Sequence, residues 1–163
     1  MRSRLFILKE ARRSVGAMTE DEKAIRDLIE RQFGSLNWRP GTTGDWNAFT
    51  SDFLPGAPLY AAARPVKAQS AQDFVARMKG LASTKLRSFA EAVLGVEVRI
   101  FGNMAVAIAG CEITENDADV NRGVEMFLLV KDTGAWRIAA QAWDTERDGR
   151  RLPADLLKPV KPA

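Results

Sequence analysis

The sequence predicts an α+β domain in which a curved antiparallel sheet wraps around three N-terminal helices as a cone-shaped half-barrel. Three observations carry that expectation. Apolar residues recur at helical spacing through the first half, and Thr19/Glu22 and Ser70/Asp73 stand three apart ahead of two of those runs, as capping boxes do. From Phe89 onward the apolar period falls to two, the period of a half-buried strand. Gly102-Asn103 and Asp132-Thr133-Gly134 then supply the turns that fold this second half into hairpins.

Each element has its own reason. Ile25, Leu28, Ile29, Phe33 and Leu36 line one face of a first helix, while Glu22–Arg26, Lys23–Asp27 and Asp27–Arg31 set opposite charges four apart on the wet side. Pro40, Gly41 and Gly44 make a loop. Asp45 caps a short helix carrying Trp46, Phe49 and Phe53, which ends at Pro55-Gly56, and residues 57–63 read as a strand. Phe74, Val75, Met78 and Leu81 mark a third helix, ending between Gly80 and Ser83. In the next strand Ala90, Ala92, Leu94, Val96, Val98 and Ile100 alternate with Glu91, Val93, Glu97 and Arg99. Met104 to Thr114 returns as its partner. Val124 to Val130 is almost wholly apolar, hence a strand covered on both faces. Trp136 to Trp143 closes the sheet, and the tail beyond holds one short turn at Pro153 to Leu157. The expected division is a basic extension at 1–18, one domain at 19–146 and a basic, Pro-containing tail at 147–163.

Composition excludes more than it assigns. The 163 residues contain no histidine and a single cysteine, Cys111. That removes Ser-His-Asp and Cys-His catalysis, imidazole-ligated metals and an intrachain disulfide framework. No metal and no cofactor are expected. The formal charge is +3, with +4 in residues 1–17 and +3 in residues 147–163, which leaves −4 for the body by difference. The basic character therefore belongs to the two ends, and no nucleic-acid partner is expected. No apolar run reaches the roughly 20 residues of a membrane span. The short run Leu5-Phe6-Ile7-Leu8 falls below the 7–15 apolar residues, roughly, of a secretory leader, so a cytoplasmic protein is expected. Asp117-Ala118-Asp119-Val120-Asn121 imitates the start of a calcium loop, but Gly123 comes one place late and Leu128 stands where the closing Glu belongs; it reads as a hairpin loop.

The order of elements, the Asp45-Trp46 opening of the second helix and the hairpin Leu128-Leu129-Val130-Lys131-Asp132-Thr133-Gly134-Ala135-Trp136-Arg137-Ile138 resemble the nuclear transport factor 2-like superfamily, over residues 19–146. That superfamily has a cystatin-like fold and includes ketosteroid isomerase, scytalone dehydratase and polyketide cyclases. The resemblance implies a cone with an apolar cavity, and it locates the isomerase's catalytic positions. Its base falls at Ala61, its helix-borne tyrosine at Phe33, and its protonated acid near Met126 and Phe127, with Glu125 the nearest carboxyl. The isomerase set is thus absent.

Three functional readings follow. In the first, the cone binds an apolar or aromatic small molecule through Phe33, Phe53, Tyr60, Phe74, Phe89, Phe127, Gln141 and Trp143, the last two facing the cavity by resemblance. In the second, a strand carboxyl such as Glu125 or Glu112, with Glu91 also on a strand, is pushed into the cavity and acts as base in an isomerase, dehydratase or cyclase. Each of these acids equally fits an outward position paired with Arg99, Arg122 or Arg137. In the third, the sheet face that the helices leave uncovered docks a protein. Val124, Met126, Leu128 and Val130 on that strand make both faces apolar, which implies a homodimer. A strand carboxyl with a pKa near neutrality distinguishes the second reading, and a filled, ligand-free cavity the third. Cys111, mid-strand, reads as a buried inert thiol.

Overall fold

The computed structural model describes residues 17–157. The readings that fall on residues 1–16 and 158–163 lie outside the described residues. Helix α1 spans Glu20–Gly34, α2 Trp46–Ser51 and α3 Ala71–Ala82; the strands are β1 Leu59–Tyr60, β2 Ala68–Gln69, β3 Phe89–Phe101, β4 Met104–Glu115, β5 Asp119–Asp132 and β6 Ala135–Thr145. The six strands form one open sheet in the order β2-β1-β6-β5-β4-β3. All neighbours run antiparallel except β1 and β6, which are parallel. This is the α+β curved-sheet class that the periodicities predict.

The helix starts follow their caps. Ser70 and Asp73 form the complete reciprocal box at α3. At α1 only half of the expected box exists: Thr19 Oγ1 accepts from the Glu22 amide at 3.1 Å, but the Glu22 carboxylate turns to the Arg26 guanidinium at 2.7 Å. An ion pair one turn ahead replaces a bond to the cap. Arg31 likewise leaves Asp27 and reaches Asp52 at 2.5 Å, where it answers a buried charge. The strand expected over residues 57–63 shrinks to Leu59–Tyr60. Beyond Tyr60 the Arg64 guanidinium donates to the carbonyls of Ala61, Ala62 and Ala63, and so curls the chain out of the ladder.

One irregularity decides which residues enter the core. The pairing of β3 with β4 slips between Val93 and Gly95, leaving Leu94 as an extra residue. A bulge of this kind reverses the facing of everything beyond it. Phe89, Glu91 and Val93 therefore point inward before it, and Val96, Val98 and Ile100 point inward after it. Simple alternation sends Glu91 to solvent; the structure buries it. A second slip, between Leu128 and Leu129, does the same for β6 and lets Ile138 and Gln141 both face the core.

Inside the cone the aromatic rings pack against one another. Phe49 stacks on Phe74 at 5.0 Å, and Phe74 meets Trp143 edge-on at 5.7 Å. Trp38 stacks on Phe89 at 5.0 Å, and Phe33 meets Phe127 at 6.3 Å. The inner face of β4 is lined by Ala105, Ala107 and Ala109, whose small side chains let the helices and these rings lie close to the sheet.

The outer face is only partly covered. A 3-10 turn at Ala154–Leu157 brings Leu152 and Leu156 down onto Gly110 of β4. A side chain on Gly110 would meet the Leu156 carbonyl oxygen at 2.6 Å, so glycine is what permits the contact. Further along the same face, Phe101 is 78% exposed, Met104 54%, Met126 55% and Leu128 46%. The strand Val124–Val130, expected to be covered on both faces, is covered on one in the single chain: Phe127 and Leu129 are buried on the inner face, while Met126 and Leu128 stay exposed on the outer.

Candidate functional site

Four adjacent positions of the sheet place one polar side chain each into this apolar interior: Glu91 on β3, Cys111 on β4, Glu125 on β5 and Gln141 on β6. Glu91 and Glu125 are 6% and 7% exposed, and Cys111 and Gln141 are buried as fully. Register brings them together. Cys111 lies opposite Gly123, which offers no side chain, so the neighbouring Glu125 can reach across toward β3. Gln141 lies opposite Phe127, one inward position from Glu125. Oxygens of both carboxyls and the Cys111 sulfur fall within 4.8 Å of one another. The carboxyls hydrogen-bond to each other, the thiol contacts Glu91, and Gln141 Nε2 donates to Glu125 Oε2.

The loop after α1 fixes the first acid. Asn37 Oδ1 accepts from the Glu91 amide at 2.7 Å, and Asn37 Nδ2 donates to the Glu91 carbonyl at 3.4 Å. The side-chain amide thereby stands in for a strand at this free edge of β3. Arg26 does the same for the Val96 carbonyl at 2.8 Å.

Burial governs the ionisation of the cluster. Loss of water is the main cause that pushes Glu125 up to about 7, against the opposing pull of its hydrogen bonds from Gln141 and Glu91. Glu91 is raised well above the usual carboxylate range, first by burial and then by the charge of Glu125 beside it. Burial also pushes the Cys111 thiol up, and both glutamates add to the effect. Among the described residues no lysine or arginine pairs with either acid. One oxygen of each carboxyl and the Cys111 sulfur lie close enough together to meet one small cation, whose binding would release the protons they carry.

The structure sorts the residues singled out in the sequence. Phe33, Phe53, Phe74, Phe89 and Phe127 belong to the buried core, and Trp143 packs against it. Gln141 joins the acid cluster. Tyr60 does not: it lies on the outer face, lining a groove of about 320 Å³ with Val106, Met126 and Leu128. Glu112 faces outward and pairs with Arg122 at 2.9 Å, the solvated alternative open to every strand acid. Glu125 is the acid that faces inward as the second reading requires. Glu91 and Cys111 complete the cluster; only the bulge at Leu94, invisible in a regular alternation, turns Glu91 toward it.

A half-open six-stranded sheet over three helices is the α+β fold called nuclear transport factor 2-like, or cystatin-like. This chain has that fold. An NTF2-like protein of unknown function from Silicibacter pomeroyi is 19% identical, with 79% of this chain covering 100% of that one at a TM-score of 0.56. A protein of unknown function with a cystatin-like fold from Nostoc punctiforme is 14% identical, with coverages of 79% and 94% and a TM-score of 0.62. A hexachlorocyclohexane dehydrochlorinase from Novosphingobium barchaimii is 11% identical, with coverages of 87% and 95% and a TM-score of 0.63. No family profile and no curated protein matches the chain.

Proposed function

We propose that this protein binds an apolar small molecule in its cone and moves a proton on it with the Glu91–Glu125 pair. The observation that carries this reading is the pair of buried carboxyls, with oxygens within 4.8 Å of each other, in the same interior as the packed aromatic rings, where loss of water raises both acids. A carboxylate poised near neutrality is both ionised often enough and basic enough to take a proton at ordinary pH. The proton balance closes within the pair: ionised Glu125 accepts a proton from the ligand, neutral Glu91 returns one at a second ligand atom, and the hydrogen bond between them passes a proton back to reset the site. The ligand is thereby isomerised with no other reactant. A neighbour of the same fold named as a dehydrochlorinase supports small-molecule chemistry on this scaffold.

The test is catalysed exchange of acidic C–H protons for deuterium, followed by NMR in heavy water over a panel of apolar aromatic ketones that quench the tryptophan fluorescence. Wild type should exchange at least one bound ligand. Glu125→Gln should lower that rate by roughly 100-fold or more, the usual worth of a positioned base. Bound ligands that exchange no faster with wild type than with Glu125→Gln would reduce the site to binding alone.

A second reading has its own observation. The apolar outer face at Phe101, Met104, Val106, Met126 and Leu128 supports a homodimer formed across it.

A further inference from the structure

We propose that Gln141 is a positioning residue that keeps the shared proton on Glu91 and so leaves Glu125 as the ionised member of the pair; this rests on reading the pair as a proton-transfer site. Two carboxyls in one apolar enclosure are near equivalents unless something distinguishes them, and two like charges so close cannot both ionise readily. The partners supply the difference. Glu125 receives an amide N–H from Gln141. The Glu91 side chain has the Cys111 thiol, a weak donor, and the other acid. An N–H donor favours a charged acceptor over a neutral one, so the negative charge settles on Glu125.

The other surroundings do not upset this ranking. The helices turn Ile25, Leu28, Ile29, Gln32 and Phe33 of α1, and Phe74 and Met78 of α3, toward the core, and none of these titrates. Gln141 is also well placed to hold its orientation. Its strand is flanked on both sides, by β1 through Leu59 and by β5 through Phe127, and its backbone N–H donates to the Pro58 carbonyl at 3.1 Å. Its own Oε1 is buried and has no partner among the described residues, so nothing there competes with Glu125 for the side chain.

The experiment is an NMR titration of ligand-free protein carrying labelled Glu carboxyl and Gln side-chain amide groups, with Glu91→Gln and Glu125→Gln used for assignment. In wild type the Gln141 amide signal should move with the Glu125 step and stay still through the Glu91 step. In Gln141→Leu the Glu125 step should rise by roughly one to two pH units, the loss of one hydrogen bond to a charged group. A folded Gln141→Leu protein with its Glu125 step unmoved would overturn the proposal. If that variant does not fold, the wild-type amide decides: a signal that follows Glu91, or follows neither acid, overturns it equally. Because no ligand is present, failure of the exchange assay would leave this result standing, and the two readings fail separately.

Discussion

Glu91 and Glu125 ionise more readily in the unfolded chain than in the folded one, because folding strips them of water. The sign of the stability effect follows. Below the ordinary glutamate value of 4.5 both states hold the Glu125 proton and nothing is lost; between there and about 7 only the folded state holds it, so stability falls as pH rises. Glu91 adds a further decline in the same direction. Urea unfolding should therefore give a lower midpoint at mildly alkaline pH than in weak acid. Glu125→Gln, which removes the titrating group and keeps the shape, should flatten that dependence and be the more stable protein in alkali. A wild-type midpoint that rises with pH over this range would contradict the burial of the pair.

At the scale of elements, the contact between the 3-10 turn and β4 makes a local prediction. Gly110→Ala must push the Leu156 carbonyl away, and overpacking of this sort costs about 1–3 kcal/mol. The expected signature is a drop in the urea midpoint with faster amide exchange around Leu152 and Leu156, and no change in α1; an unaltered midpoint would mean that the tail does not bind there. The same scale shows what could be read from the residues. Caps and helical periodicity located α1, α2 and α3, and the turn pairs Gly102-Asn103 and Asp132-Thr133-Gly134 located the hairpins, since these signals act over a few residues. The face of Glu91 was not legible. It depends on Leu94 being extruded from the β3–β4 ladder, which is settled by packing between strands and not by either strand alone. The shortness of β1 escaped for a similar reason, because the carbonyls of Ala61 to Ala63 are taken by Arg64 and not by a neighbouring strand. Resemblance places Gln141 in the cone, and its bond to Glu125 depends on the register of β5 and β6.

For the whole molecule, the two faces of one sheet differ in what they expose. The inner face holds the proton pair, and the outer face leaves Met126 and Leu128 open beside Phe101 and Met104. Because side chains on β5 alternate between those faces, Glu125 and Phe127 are buried while their direct neighbours Met126 and Leu128 are exposed. If the outer face is a two-fold interface, light scattering at micromolar concentration should give about twice 18.0 kDa. Met126→Glu should return the mass to that of one chain without disturbing the titration of Glu125, since its side chain points away from the cone. A wild-type protein that stays monomeric at that concentration would rule the dimer out.

The extra residue at Leu94 also changes how kinship to this site must be sought. Glu91 and the core residue Val96 lie an odd number of positions apart, yet they share a face. A comparison that scores strands by strict two-residue spacing would file Glu91 as surface and pass over any protein built the same way. The useful fingerprint is an interval that breaks the alternation: an acid in phase with the residues before the bulge and out of phase with those after it.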